Sequence, residues 1–172
     1  MGLILLGLAI ASPAGVQAAI FQSLSHGLIP SLLFLLVSFF ARWYGTTDIG
    51  EMAGLKSAFP VVAFLLYLGG FASPGLPGTS GFIGEFALLM AAFEQSPFLG
   101  GTATLSLLLT AAYVLRAMMA ILYGPASAKN PGVLSRMDGF RRKVPPAADW
   151  VPGMVLAVLI IGFGLFPGPV ID

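Results

Sequence analysis

A run of 28 residues without a formal charge, Ser57–Gly84, most constrains what this chain can fold into. A helix needs about 20 apolar residues to cross a bilayer, so the run is long enough. It is interrupted near its end by Pro74, Pro77 and Gly78, which disfavour a continuous helix because proline removes a backbone donor and glycine adds flexibility. Irregular backbone at membrane depth persists only where it packs in protein or lines a wet cavity. The sequence therefore predicts a broken transmembrane helix, with half-helices at about 57–72 and 81–94.

The composition of the whole chain is that of a polytopic membrane protein. Of its 172 residues, 58% are hydrophobic and 9% are charged, and the mean hydropathy is +0.96. The chain has no cysteine and a single histidine, which argues against thiolate or histidine-rich metal sites. A net charge of +1 gives no indication of nucleic acid binding. The predicted fold class is all-α, with about four full transmembrane helices in the lipid bilayer and a partial helix at the N-terminus.

The remaining apolar runs place the other predicted helices. A partial helix covers about 1–12 before the turn signal Ser12–Gly15, and full helices cover about 16–44, 98–123 and 148–167. A signal peptide is an alternative for the short first run, although no Lys or Arg precedes it. The segment 124–147 carries five basic residues and one aspartate. We therefore expect it on the cytoplasmic or matrix side, with the C-terminus on the opposite side.

His26 lies near the middle of the second predicted helix. An ionisable residue at membrane depth is typical of an ion or proton route. Gln22 and Pro30 lie four residues to either side of His26, on the same helix face. Because Pro30 has no N–H, the His26 carbonyl loses its intrahelical donor. The alternative is a buried histidine that is tied to a neighbouring helix.

Glu85 is the acid beside the helix break, and the sequence predicts it in the first turn of the second half-helix. A carboxyl group at this depth can take up and release protons. The alternative is a structural acid paired with a basic residue elsewhere. Hydroxyl and amide groups at a similar depth could order a chain of water molecules, and they belong to Gln22, Ser23, Ser25, Thr79 and Ser80.

These segments resemble the subunit M or subunit 4 family of NADH-quinone oxidoreductase, respiratory complex I. The resemblance rests on GLPGTSGFIGEF at 75–86, SHGLIPSLLFL at 25–35 and MAGL at 52–55. It covers essentially the whole chain but corresponds only to the C-terminal part of the family. Members of the family resemble cation/proton antiporter subunits and contain inverted repeats.

The resemblance implies an antiporter-like, proton-translocating membrane subunit that couples NADH:quinone electron transfer to proton pumping. His26 would be the histidine of the family's central hydrophilic axis. Glu85 would be the acid of the broken helix on the exit side, where related antiporter subunits usually carry a lysine. The residues predicted from the sequence itself to line the pathway or form the helix break are Gln22, Ser25, Pro74, Pro77, Gly78, Thr79 and Ser80.

The resemblance also implies no cofactor in this chain, with NADH, FMN, iron–sulfur clusters and quinone bound by partner subunits. The expected partners are other complex I membrane subunits, including a chain or segment that carries the family's N-terminal helices. Met1 would begin inside one of the family's helices, which explains the short first run better than a signal peptide does. Because an antiporter-like channel needs both repeats, we expect a truncated product or one piece of a split subunit that cannot pump alone.

Two other functions remain open at this point. The chain could be a subunit of a related Na⁺/H⁺ antiporter or membrane-bound hydrogenase, against which the glutamate at position 85 argues. It could also be a non-conducting structural fragment of a membrane assembly.

Overall fold

The regular structure of the described part of the chain is entirely helical. The computed structural model describes residues 1–43, 45, 47–49, 60–123 and 147–168. Six helices follow one another there: α1 (Gly2–Ile10), α2 (Pro13–Trp43), α3 (Pro60–Ala72), α4 (Ser80–Gln95), α5 (Pro97–Tyr123) and α6 (Ala147–Leu165). The all-α fold class is therefore confirmed. The prediction that 124–147 is a basic loop falls on a segment of which only the last residue is described.

Two of these helices, α2 and α5, are long and apolar enough to cross a membrane by length and composition. The apolar helices Pro60–Ala72 and Asp149–Leu165 are shorter. These two helices bear out only part of the prediction of about four full transmembrane helices.

The junction between α1 and α2 is tighter than the sequence suggested. The turn signal Ser12–Gly15 lies at this junction, but the turn is confined to Ala11 and Ser12 because α2 already begins at Pro13. The N–H of Gly15 donates to the Ser12 hydroxyl oxygen at 3.0 Å, which is the hydrogen bond of a helix N-cap. Proline suits the first helical position because the N–H that it lacks would have no partner in the helix. The backbone reverses at Ala11, which has a φ of 53°.

The break between α3 and α4 is a turn whose backbone groups bond to one another. The Leu76 N–H donates to the Phe71 carbonyl at 3.0 Å and the Gly75 N–H to the Ala72 carbonyl at 3.2 Å. This pair of bonds is a Schellman motif, and Gly75 takes its left-handed position with a φ of 75°. The Thr79 N–H then donates to the Leu76 carbonyl at 3.1 Å. Backbone groups that are satisfied in this way are what a break at membrane depth requires.

The apolar core lies on the C-terminal half of α2. Leu32, Leu36 and Phe40 pack there against residues of α3, α5 and α6, among them Leu65 and Ile160. Leu32 and Ile160 are fully buried. Close packing of such side chains stabilises the helix bundle through van der Waals contacts.

An ion pair joins the end of α2 to the start of α6. Arg42 Nη1 lies 2.6 Å from Asp149 Oδ1, and Trp43 Nε1 donates to Asp149 Oδ2 at 2.8 Å. Farther along α6, Gly164 packs directly on the helix break. A Cβ at this position would lie 2.5 Å from the Gly78 carbonyl oxygen. The break is therefore packed against α6.

Candidate functional site

His26 and Glu85, on different helices, line the same cavity. The cavity has a volume of about 420 Å³ and lies between α1, α2, α4 and α5. Gln22 and Pro30, the residues four positions to either side of His26, also line it, as does Ser73 at the start of the break. The face of α2 that carries His26 is therefore directed at the acid of the broken helix.

Glu85 lies in the second turn of α4, so the prediction of the first turn is wrong. α4 begins at Ser80, which makes Glu85 its sixth residue, and the helix has no acidic residue in its first turn. Because the influence of a helix N-terminus falls off within one turn, Glu85 depends less on the helix dipole than the sequence suggested. Its side chain is 7% exposed.

The Glu85 carboxylate rests against Gly75 in the helix break. A Cβ added to Gly75 would collide with Glu85 Oε2. Gly75 therefore serves two purposes, since it adopts the positive φ of the turn and leaves room for the carboxylate. Among the described residues, no ion pair or hydrogen bond holds Glu85. The alternative of a structural acid paired with a basic residue thus has no partner in this part of the chain.

Gln22 lies beside Glu85 on the opposing helix. A Cβ on Gly84 would lie 3.0 Å from both Cα and Cβ of Gln22, so α2 and α4 approach closely at this point. The Gln22 side chain is 7% exposed, and its Oε1 is buried without a hydrogen-bond partner in the described residues. An amide group therefore lies at the depth of Glu85, in the same cavity.

His26 lies about one helical turn along α2 from the level of Gln22 and Glu85. The contacts of Gln22 with Gly84 and of Ile29 with Gly81 show that α2 and α4 run antiparallel. His26 is four residues from Gln22, which corresponds to about 6 Å along the helix axis. No hydrogen bond joins His26 to Glu85 within the described residues. The two ionisable groups share a cavity but lie at different depths.

The other residues that the sequence singled out lie beside the cavity rather than on its wall. Ser25 and Ser80 are each 1% exposed, and their hydroxyl oxygens have no hydrogen-bond partner in the described part of the chain. The Thr79 hydroxyl is buried and donates to the Leu76 carbonyl at 2.7 Å. Pro74, Pro77 and Gly78 shape the break, and none of them lines the cavity.

Sequence reasoning missed the contribution of α5 to this cavity. Four hydroxyl-bearing residues of α5 line it: Thr102, Ser106, Thr110 and Tyr113. They carry no charge, so they did not stand out among the apolar residues around them. Their spacing was a usable signal, since residues four apart share a helix face.

The side chains that line the cavity are of kinds that can exchange protons. The sequence contains no cysteine, and the described residues include no group of three His, Cys, Asp or Glu side chains that could hold a metal ion. The cavity instead combines a carboxyl group, an imidazole, an amide and several hydroxyl groups. Together these groups can accept, donate and relay protons.

Comparison with known proteins gives the family. Residues 1–111 match the family model described as NADH:quinone oxidoreductase/Mrp antiporter, TM. The chain belongs to this antiporter-like family of membrane proteins. The family is one of multi-pass membrane subunits, which confirms the resemblance stated above.

Two relatives are similar to the chain over its whole length. NADH-quinone oxidoreductase subunit M of Rickettsia felis is 34% identical over 172 residues, and F(420)H(2) dehydrogenase subunit M of Methanosarcina mazei is 34% identical over 174 residues. Each comparison covers 100% of this chain and 33% of the relative. The chain thus spans about a third of the length of the curated relatives it matches.

Two solved structures have the same fold as this antiporter-like chain. A chain of respiratory complex I from Thermus thermophilus matches with a TM-score of 0.77 at 31% identity, covering 98% of this chain and 33% of that one. A chain of the Mrp complex from Dietzia sp. DQ12-45-1b matches with a TM-score of 0.80 at 24% identity, covering 98% of this chain and 38% of that one. The second likeness concerns the fold alone. Both relatives sit in multisubunit membrane complexes.

Proposed function

We propose that this chain supplies the exit side of a proton pathway in the membrane arm of an NADH-quinone oxidoreductase. The observation that carries the proposal is the shared cavity, into which α2 brings His26 and Gln22 and α4 brings Glu85. Ionisable groups that face a common cavity at membrane depth are typical of proton relays. The similarity to subunit M proteins supports the same role.

In this mechanism Glu85 is the terminal proton carrier and His26 is the relay before it. A proton held on the His26 imidazole passes through water to the Glu85 carboxylate, and the imidazole returns to its neutral form. Gln22 lies level with Glu85, and its amide group orders water between the two. Each step moves only a proton between oxygen or nitrogen atoms, so electrons do not enter the site.

The electron-transfer chemistry belongs to other subunits in this proposal. NADH, FMN, the iron–sulfur clusters and quinone bind to partners, and charge movements there are transmitted to Glu85. The rest of the antiporter-like channel comes from a chain or segment that supplies the other two thirds of the relatives' length. We propose about four full spans for this chain, with 124–147 on the cytoplasmic or matrix side and the C-terminus opposite.

The test replaces Glu85 by glutamine in the assembled complex. Inverted membrane vesicles are given NADH, and proton uptake per electron is measured with a pH-sensitive dye. Glu85→Gln keeps the size of the side chain but removes its ionisation, so we expect proton uptake per electron to fall. The matched control is Glu94→Gln, since Glu94 is an exposed carboxylate near the end of the same helix. Equal proton uptake in the two variants would overturn the proposal.

The second candidate function is that of a membrane subunit in a related complex, or in one that uses a different electron donor. The similarity to an F(420)H(2) dehydrogenase subunit is 34%, as high as that to the NADH enzyme of Rickettsia felis. A related Na⁺/H⁺ antiporter or membrane-bound hydrogenase belongs to the same group of alternatives. Purifying the chain with its partners and identifying the subunits by mass spectrometry distinguishes these complexes.

A non-conducting structural role makes a different prediction. In that case Glu85→Gln has no effect on pumping, whereas truncation of the chain prevents assembly of the complex.

A further inference from the structure

We propose that a row of hydroxyl groups on α5 forms the wall of a water chain along which the Glu85 proton travels. The row consists of Thr102, Ser106, Thr110 and Tyr113, and we call it the hydroxyl row. The inference rests on the proposed role of Glu85. It goes further because it assigns part of the pathway to α5, a helix that contributes no Asp, Glu, His, Lys or Arg to the wall of this cavity.

The hydroxyl row occupies one face of α5 and lines the cavity along its length. All four residues belong to the cavity wall, together with Glu85. Thr102 and Tyr113 are separated by eleven residues, or about 16 Å along the axis. This is about half of the roughly 30 Å thickness of the hydrocarbon layer.

The register between α4 and α5 places the middle of the hydroxyl row beside Glu85. A single serine separates these consecutive helices, which run antiparallel, and Gly100 packs on the ring of Phe93. Glu85 precedes Phe93 by eight residues on α4. Because the helices are antiparallel, Glu85 lies level with the residue eight positions after Gly100 on α5, which is position 108. Ser106 and Thr110 flank that level on either side.

The same register between α4 and α5 places one end of the hydroxyl row at the depth of His26. Tyr113 lies thirteen residues beyond Gly100, which places it level with Ser80 on α4. His26 faces the same part of α4, because its neighbours Gln22 and Ile29 contact Gly84 and Gly81. The hydroxyl row therefore extends from the depth of His26, past Glu85, towards the turn between α4 and α5.

The hydrogen bonds of the hydroxyl row leave it able to hold water. The Thr102 hydroxyl donates to the Leu99 carbonyl and the Thr110 hydroxyl to the Ser106 carbonyl, both at 2.9 Å. Their oxygens can therefore accept hydrogen bonds from the cavity. The Ser106 hydroxyl has no partner in the described part of the chain, so it can rotate and act as either donor or acceptor.

Two buried polar side chains on the opposite wall of the cavity could also form hydrogen bonds with water. Gln22 and Glu85 are each 7% exposed, and neither makes a hydrogen bond within the described residues. Leaving such groups without hydrogen-bond partners is unfavourable. The cavity of about 420 Å³ is large enough to hold several water molecules. We infer that the ligand of this cavity is a hydrogen-bonded chain of water.

Proton movement along this chain needs no other reactant. A proton leaves the Glu85 carboxyl for the nearest water molecule, which releases a different proton to the next. Each transfer forms one O–H bond and breaks another. The Ser106 hydroxyl completes the chain by accepting a hydrogen bond on one side and donating one on the other.

The first experiment removes the two hydroxyl groups that flank Glu85. Ser106→Ala combined with Thr110→Val is made in the assembled complex, and proton uptake by inverted vesicles is measured with NADH as donor. We expect the rate to fall roughly tenfold, as an added barrier of about 1.4 kcal/mol would produce. Thr104→Val is the matched control, because the Thr104 hydroxyl donates to the Gly100 carbonyl at 2.8 Å and does not line the cavity. The conservative pair Ser106→Thr with Thr110→Ser keeps both hydroxyl groups and should retain pumping.

The reference variant Glu85→Gln separates this inference from the proposed function. If Glu85→Gln lowers pumping and the double variant does not, the inference about α5 is wrong and the function of Glu85 stands. If Glu85→Gln itself has no effect, the proposed function fails, and the inference fails with it.

A second experiment detects the water directly and applies even if the double variant does not assemble. The chain has no cysteine, so a single introduced thiol can be followed by the mass of this chain alone. Ser106→Cys in the assembled complex should react with a small water-soluble thiosulfonate, because the thiol must ionise in water to react. Leu108→Cys, on the apolar face of α5, should not react. Equal labelling of both positions, or of neither, would overturn the inference.

Discussion

The two halves of α2 lie in opposite kinds of surroundings. The C-terminal half carries Leu32 and Phe40, which are at most 1% exposed and pack in an apolar core. The N-terminal half carries Gln22 and Ser25, which are also buried but have side-chain oxygens without partners in the described residues. One continuous helix therefore joins a well-packed apolar region to a region whose buried polar groups lack hydrogen-bond partners among the described residues.

The difference separates the source of stability from the candidate site. Apolar contacts in the core lower the free energy of the folded state, whereas unpaired buried polar groups raise it. Natural proteins tolerate such costs mainly at functional sites. The contrast predicts that substitutions in the core change assembly and that substitutions around the cavity change proton transfer.

The largest effect is expected for Gly75→Ala, which disturbs both the break and the acid. The positive φ of Gly75 would strain an alanine by about 1–3 kcal/mol, and its Cβ would collide with Glu85 Oε2. We expect loss of proton pumping together with a lower thermal stability of the complex. The control is Gly78→Ala, since Gly78 has a φ of 91° but no atom within 4 Å of an added Cβ. Loss of pumping to the same degree in both variants would show that strain, and not the contact with Glu85, is responsible.

Leu32→Ala tests the core half of α2 alone. Leu32 is fully buried, so the substitution should destabilise the chain by about 2–5 kcal/mol through the cavity that it leaves. We expect less chain in the assembled complex, measured on native gels, but normal pumping per electron in the complexes that form. Phe34→Ala removes a larger side chain that is 72% exposed and should have a smaller effect on assembly. A change in protons per electron for Leu32→Ala would contradict the separation of the two regions.

Gln22→Leu tests the N-terminal half of α2, which lines the cavity. Here the expected effect is on proton transfer and not on stability. Replacing an unpaired buried amide by an apolar side chain of similar size should leave stability unchanged or raise it slightly. Because the leucine cannot order water beside Glu85, proton uptake in vesicles should nevertheless slow down. Gln95→Leu, at the exposed end of α4, serves as the control. A Gln22→Leu complex that is less stable but pumps normally would assign Gln22 to packing.

The smallest effect is expected for Arg42→Gln at the end of α2. The Arg42 side chain is 70% exposed, so its ion pair with Asp149 should contribute at most about 1 kcal/mol. Trp43→Phe removes the indole donor to Asp149 and should cost a similar amount. Thermal unfolding of the purified complex measures both. A much larger loss for Arg42→Gln would mean that this exposed ion pair holds the two helices together.

Local sequence signals predicted the helix break and its two ionisable neighbours. Proline and glycine act on their own backbone, so the interruption before Ser80 could be read without knowledge of the fold. His26 and Glu85 stood out because ionisable residues are rare in apolar runs. The family resemblance rested on the same segments.

The cavity itself could not be derived in this way, because it depends on how four helices pack. Ser25 and Gln22 are three residues apart on α2, yet only Gln22 reaches the cavity wall. The ion pair of Arg42 with Asp149 joins residues 107 positions apart, a distance in the chain at which no local sequence pattern predicts a contact. The hydroxyl row, in contrast, has a spacing that places its members on one helix face, but polar groups were sought only near His26 and Glu85 along the chain.

The length of α2 has a consequence for the membrane that surrounds it. A helix of 31 residues is about 46 Å long, whereas the hydrocarbon layer is about 30 Å thick. Such a helix has to tilt or extend into the headgroup region, and the preferred angle depends on bilayer thickness. Gln22 and His26 are carried on this helix, so lipids with longer or shorter chains would change their height relative to Glu85. The acyl-chain length of the host lipid is thus a variable to which proton transfer in this site should respond.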